Sequence, residues 1–402
     1  MHPFRLETFP KFRFSIPNRS KVTGGVRTFG TPCIGDETKK LLEDILSQHN
    51  DVFASSIIDL QKARILPAVI KLTINDPVHS PPFQRSSLER NHLNEVISNF
   101  KSVNVLENST SPYASPAFLV KKPHLSKPVS ELTPDDKRLV VDYRKLNKKV
   151  IPDRYPLPRV DSIIDELRGH KIYSQIDFLQ GFYQQELSLK SRPCTALTTP
   201  QGLYQFTRQP MGIRNGTSSF SRAINRVFAD LLYHGVVIYV DNLYIYSDSE
   251  EEHLRLLKIF FERLSLHHLR IKTEKCSFFT KSIDLLGFTL SENSFSPDAN
   301  NLNAITNSPT PSTYKQLRSF LGSCTFYRNF IFHVTKICSP FYSILKQEAK
   351  KCLSPGLPRL KVHSLLLKIN SSTPQSPPQF NTYKLQYTYK LQYAYKLQYT
   401  YT

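Results

Sequence analysis

The stretch Val236-Val237-Ile238-Tyr239-Val240-Asp241-Asn242-Leu243-Tyr244-Ile245-Tyr246-Ser247 decides how this chain is read. Two runs of β-branched and aromatic residues flank a two-residue polar centre. That pattern predicts a β-hairpin with its acidic residue at the tip. A carboxylate held on a hairpin tip can ligate a metal. Asp and Asn are also favoured turn residues, so the centre can equally be an ordinary turn.

The flanking sequence predicts more of the unit. Ile172 to Phe178 reads as a strand that carries Asp177. Ser218 to Leu232 reads as a helix with Phe220, Ile224, Val227, Phe228 and Leu231 on one face. After the hairpin, Ser247-Asp248-Ser249-Glu250-Glu251-Glu252 supplies cap candidates and an acidic first turn to a helix ending near Leu266. The order is β-α-β-β-α. Nucleotidyl transfer to a 3′-hydroxyl uses two divalent metals, one at the attacking oxygen and one at the triphosphate and leaving group. Two Asp on neighbouring strands are the minimum that can hold them, since Mg2+ prefers a few carboxylates plus water and phosphate oxygens. Asp177 and Asp241 supply that pair. On the residues alone, a strand-end Asp and a plain turn explain them as well.

Upstream, Leu41, Leu42, Ile45 and Leu46 give Asp36 to Phe53 a helical period, and Leu88, Leu93, Val96 and Ile97 do so for Ser86 to Leu106. Strands at Ala117 to Val120 and Arg138 to Tyr143 flank a polar loop from Pro123 to Asp136, with basic residues on both arms. Tyr314 to Leu345 reads as two short helices. The first 36 or so residues show no period. Ser354 to Pro378 is rich in Pro and Ser, and a six-residue repeat follows from Tyr383, a pattern that can pair as strands or aggregate.

The 402 residues carry 53 Lys+Arg against 33 Asp+Glu, a formal net charge of +20. That excess suggests a polyanionic partner, nucleic acid first. No C-x-x-C pair occurs among the six cysteines, so neither a zinc knuckle nor a disulfide framework is indicated. No signal-peptide core and no apolar run of ~18 residues is present, so an intracellular protein without a transmembrane segment is expected.

Ten segments, in order, closely resemble the polymerase region of gypsy-type LTR retrotransposons and their retroviral relatives. They begin with Asp51-Val52-Phe53-Ala54, Ser111-Pro112-Tyr113-Ala114-Ser115-Pro116 and Val140-Val141-Asp142-Tyr143-Arg144-Lys145-Leu146-Asn147. Ile151 to Pro158, Asp177 to Gln184, Gly202 to Phe220 and the hairpin follow. Lys275-Cys276, Leu286-Gly287-Phe288 and Leu317 to Gly322 complete the series.

The resemblance implies an α+β right-hand polymerase of fingers, palm and thumb, with a ferredoxin-like β-α-β-β-α palm. It implies a reverse transcriptase, an RNA-directed DNA polymerase acting on RNA and DNA template-primer with dNTPs. The expected division is a poorly ordered leader over 1–47, a pre-fingers segment over 48–80, fingers over 81–165, and palm over 166–250 with a fingers return segment at 201–216. Thumb start and primer grip then occupy 251–296, the start of the connection region 297–346, and a disordered tail 347–402.

Residue roles carry over by position. Asp177 and Asp241 would bind two Mg2+, for which Mn2+ can substitute, and Asn242 would complete the catalytic set. Lys122 and Arg138 would clamp the triphosphate. Phe182 would lie under the sugar and exclude a 2′-hydroxyl, and Gln209 would line the nucleotide site. Asp142, Arg144, Tyr239, Leu286, Gly287 and Phe288 would contact template or primer.

The sequence also departs from the family. Asn242 stands where the family has a second Asp, which removes one of three negative charges and lowers the expected metal affinity. The alternative function is therefore a catalytically impaired remnant that only binds nucleic acid. Gly216 and Thr217 replace Ala and Pro at a helix entrance and loosen it. The match stops near Lys346, so the ribonuclease H and integrase domains are expected to be missing.

Overall fold

Near-continuous runs of β-branched and aromatic residues, buried at consecutive positions, build the sheet that carries the hairpin. The computed structural model describes residues 34–122, 131–306, 308, 311, 313–330 and 334–350. The leader up to residue 33, the loop at 123–130 and the repeat tail from 351 lie outside the described residues.

In chain order, helix α1 (Asp36–Gln48) precedes strand β1 (Phe53–Ala54), helix α2 (Ser87–Ser102) and strands β2 (Leu106–Asn108), β3 (Ser115–Lys121) and β4 (Lys137–Val141). Helices α3 (Arg144–Asn147) and α4 (Val160–Leu167) lead to β5 (Ile172–Asp177), β6 (Leu197–Thr199), β7 (Gly202–Phe206) and α5 (Gly216–Val227). The hairpin is β8 (Val236–Tyr239) and β9 (Asn242–Ser247). Helix α6 (Glu250–Leu266), β10 (Ile271–Lys272) and β11 (Ser277–Thr280) follow. The chain divides into two units, one ending at Ile283 and the next starting at Asp284.

In the first unit, β11, β5, β9 and β8 form an antiparallel sheet in that order. Ile176, Ile238, Leu243 and Ile245 of this sheet share a core with Phe220 and Ile224 of α5 and Leu256, Leu257, Phe260, Phe261 and Leu264 of α6. Ser249 caps α6, its hydroxyl accepting from the Glu252 amide at 3.3 Å, and three Glu in the first turn complement the helix dipole.

Helix α5 is shorter than its apolar period predicts. Phe228 and Leu231 are buried from a turn that Tyr233 (φ +61°) and Gly235 (φ +98°) redirect into β8. Helix α2 likewise stops at Ser102. Asn104 (φ +54°) breaks it, and Val105 and Leu106 bury on the way into β2. Helix α1 ends at Gln48, and Asn50–Val52 forms a separate 3-10 turn.

A second sheet of the first unit runs β2-β7-β6-β3-β4. Its core joins Leu139, Val141, Leu197 and Phe206 to Leu93, Val96, Ile97 and Phe100 of α2. Buried Tyr143 donates its hydroxyl to the Thr195 carbonyl at 2.8 Å.

Strand β12 (Ser282–Leu285) runs across the division, and the second unit goes on with β13 (Phe288–Ser291), β14 (Phe295–Pro297), α7 (Ala299–Thr306), α8 (Tyr314–Phe326) and α9 (Val334–Lys350). Phe288 packs on Phe295, Phe326, Tyr327 and Phe330. Thr313 and Gln316 form a capping box on α8.

Candidate active site

Asp177 ends β5 and stands directly opposite Asn242, the first residue of β9. Asn242 is in turn opposite half-buried Tyr239 on β8, so only Val240 and Asp241 form the turn. Val240 has φ +57°, while Asp241 does not have positive φ. A positive φ at the first of two turn residues is a position that normally takes glycine. The Phe178 amide donates to the Asp241 carbonyl at 3.4 Å, tying the tip to the end of β5.

Both carboxylates thus lie at one end of the sheet. Burial, and then the charge of Asp177, push the Asp241 carboxyl up to about 6, while Lys275 pulls it back. Asp241 Oδ1 is buried and has no hydrogen-bond partner among the described residues. It lies 3.4 Å from where a Cβ on Gly181 would be. The Lys275 ammonium donates to Asp177 Oδ2 at 2.8 Å.

These residues fit a divalent cation. Two carboxylates and the Asn242 amide oxygen are available, and a buried oxygen without a donor is what a cation would satisfy. Mg2+ needs no more than one or two carboxylates when phosphates and water complete its shell. Among the described residues no group of three or more His, Cys, Asp or Glu is placed to hold a metal.

Phe182 sits in the 3-10 turn Gly181–Gln184, its ring edge-on to Phe220 at 5.6 Å. Gln209 is buried, and its amide donates to the Gly216 carbonyl at 2.9 Å. Helix α5 starts at Gly216 without a side-chain cap, and a Cβ there would lie 3.2 Å from Gln209 Nε2. The space beside Gly216 is taken by this amide.

Lys122 follows β3, and Arg138 on β4 pairs with Val120; both side chains are exposed, on the five-stranded sheet rather than the one with Asp177. Asp142 and Arg144 form a bidentate pair at 2.8 and 2.7 Å, which holds the Asp142 carboxyl below its usual range. With Phe83, Arg85, Phe118 and Gly212 they line a cleft of about 300 Å³. Leu286-Gly287-Phe288 lies in the second unit. Leu286 (φ +49°) and Gly287 (φ +93°) make the turn between β12 and β13.

A model of the family "Reverse transcriptase (RNA-dependent DNA polymerase)" matches residues 120–290. The chain carries a reverse transcriptase domain. Gypsy-type relatives appear as the ordered motifs imply. The chain is 33% identical over 283 residues to the retrovirus-related Pol polyprotein from transposon 297 of Drosophila melanogaster, covering 70% of this chain and 26% of that protein. It is 32% identical over 315 residues to the Pol polyprotein from transposon gypsy of the same fly, covering 78% and 30%. The chain therefore spans less than a third of the length of these curated relatives.

The foamy viral protease-reverse transcriptase, solved in complex with RNA/DNA hybrid, superposes with a TM-score of 0.70 at 24% identity, over 83% of this chain and 43% of that one. That likeness establishes the right-hand polymerase fold. Among the described residues no helix is long and apolar enough to cross a membrane.

Sequence reasoning missed several residues that shape this reverse transcriptase domain. Lys275 stood out as a family word without a role, and only the pairing of β11 with β5, with the 3-10 turn before β11, brings it to Asp177. Gly181 had a signal in its place beside Phe182. A Cβ there would meet Phe220 Cζ at 2.8 Å. Val240 had one too, as a β-branched residue at a two-residue turn. His253 had none. It lies buried between Ser174 of β5 and Ser247 of β9, at 2.8 and 2.9 Å.

Proposed function

We propose that this chain extends a primer on an RNA or DNA template, with Asp177 and Asp241 as the carboxylates that hold divalent cations. The observation that carries the reading is the convergence of these two side chains at one end of the sheet, with Asp241 Oδ1 buried and unpartnered. Bound cations would activate the attacking 3′-hydroxyl and neutralise the triphosphate. The chain's own residues position the reactants. Lys122 and Arg138, exposed cations on one hairpin, suit the incoming triphosphate. Phe182 limits room at the sugar, and Gln209 fixes the start of α5 beside it.

The Asp142–Arg144 pair and its aromatic cleft suit the template strand, and Tyr239 suits the primer. Within the second unit, the Leu286-Gly287 turn and Phe288 suit the primer by themselves. The four-stranded sheet is then palm and the five-stranded sheet fingers, with thumb and connection following along the division stated above. A net charge of +20 supports a nucleic-acid partner, as does the fold shared with a protein that binds an RNA/DNA hybrid.

A second reading has its own observation. Asn242 faces Asp177 where a carboxylate would add charge, and Lys275 already neutralises part of what remains. The chain would then bind template-primer without extending it. Primer extension with Mg2+ and then Mn2+, beside Asn242→Asp, separates the two. Extension by the wild-type chain supports polymerase activity. Binding without extension by either form overturns it in favour of the second reading. Rescue by Asn242→Asp alone identifies Asn242 as the lesion.

A further inference from the structure

The Lys275 ammonium reaches Asp177 from the 3-10 turn that leads into β11. Strand β11 pairs antiparallel with β5 through Ser277↔Gln175. Beyond that pair the ladder is interrupted: Phe178 bridges Ile271, and the 3-10 turn Thr273–Lys275 between these two contacts brings Lys275 beside Asp177. Asp177 is therefore flanked by Lys275 on one side and Asn242 on the other. The 3-10 turn Thr273–Lys275 sets this geometry, and Lys272 pairs with Glu274 at 3.3 Å, leaving Lys275 to face the carboxylates. The Lys275 side chain is 44% exposed and that of Asp177 only 17%, so water screens the pair incompletely.

We propose that Lys275 is the built-in counter-ion of the Asp177/Asp241 pair, and that a divalent cation binds there only in exchange for its ammonium. The proposal rests on the reading of Asp177 and Asp241 as cation ligands. Exchange opens the Nζ–Oδ2 ion pair and transfers no proton. With Asn242 neutral, two carboxylates and one ammonium leave a single formal negative charge to attract a dication. A third carboxylate would outweigh the lysine; here the lysine and the ligands are nearly balanced. Lys275 thereby sets how much free cation the site needs.

The test is Mn2+ binding to the full chain, read from the paramagnetic resonance signal of free Mn2+, together with thermal melts in chelator and in Mn2+. Lys275→Met and Lys275→Gln should each bind Mn2+ ~10-fold more tightly, because a repelling charge beside the site is gone. Both should melt earlier in chelator and show a larger rise on adding Mn2+ than the wild type does. Lys275→Arg should keep the weaker affinity. Asp241→Asn should abolish binding in either background.

If both neutral variants bind no more tightly than the wild type, while Asp241→Asn still abolishes binding, the counter-ion role is overturned and the ligand reading survives. If Asp241→Asn binds as well as the wild type, or if no form binds, the ligand reading falls and takes the proposal with it. A purely structural role for Lys275 predicts the earlier melt without the gain in affinity.

Discussion

Asn242 faces Asp177 directly across the β5–β9 ladder. Side chains at directly opposed positions share one face at close range, and like charges there are destabilising. An Asn at this position removes a repulsion from the metal-free protein and removes a charge from the cation site. Asn242→Asp should therefore lower stability in chelator by roughly 0.5–1 kcal/mol and raise divalent affinity by about tenfold. Thermal melts with and without Mn2+ read both effects. Unchanged melts in both conditions would show that the two side chains do not interact.

His253 bolts α6 to the sheet. The Phe279 amide donates to Ser174 Oγ, and Ser247 Oγ donates to the Ser249 carbonyl. Ser174 is then left to donate to His253 Nε2, and His253 Nδ1–H to donate to Ser247. The network is complete only with a neutral ring. Burial accordingly pulls this histidine down to about 3 from its ordinary 6.5. A depressed histidine stabilises the fold above pH 6.5, and that stability is lost as pH falls toward 3. Between pH 7.5 and 5 the loss should be about 2 kcal/mol. Urea midpoints for wild type and His253→Gln test it. A variant with the same pH slope as the wild type would contradict the assignment.

Arg208 is buried, and its guanidinium spans the carbonyls of Gln61 (3.1 Å), Tyr183 (3.2 Å) and Val103 (3.3 Å). Desolvation lowers its pKa, and the charge of Glu186 opposes that. Lysine cannot reproduce this planar fork and would leave carbonyls unpaired. Arg208→Lys should lose about 2–4 kcal/mol by chemical denaturation. A loss under about 1 kcal/mol would mean that water replaces the fork.

Gly181 has no need of a positive φ; it is glycine for room. Phe220, whose Cζ a Cβ would meet, is fully buried and held edge-on by Phe178 and Phe182. Gly181→Ala should destabilise by about 1–3 kcal/mol through overpacking. It should also weaken Mn2+ binding, since the same Cβ presses toward Asp241 Oδ1. Normal binding in a destabilised variant would detach the two effects.

The parts of this molecule that local sequence governs were legible before any coordinates. Two β-branched and aromatic runs about a polar centre predicted β8 and β9, and Ser249 with its three Glu predicted the start of α6. What escaped depends on distant register or on backbone conformation. Lys275 meets Asp177 only because β11 forms the edge beside β5. His253 looks like a surface residue among glutamates and is buried because Ser174 and Ser247 point to it from two strands. Leu286-Gly287-Phe288 carries no local mark of the turn that Leu286 makes with positive φ. The apolar spacing of Phe228 and Leu231 suits a helix, yet both bury from a turn.

Val240 is the strained member of the hairpin. A β-branched residue at φ +57° opposes its own side-chain sterics, at a cost of about 1–3 kcal/mol. Glycine would adopt this φ freely, with roughly 0.5–1 kcal/mol returned to the unfolded state as entropy. Val240→Gly should therefore stabilise the metal-free chain by up to about 1 kcal/mol. The same freedom loosens the tip that presents Asp241. Hydrogen exchange at the Asp241 amide should quicken, and Mn2+ affinity should fall. Stability and affinity then move in opposite directions, which separates strain from general damage. A variant that loses both would show that the valine side chain, rather than the backbone it distorts, holds the tip in place.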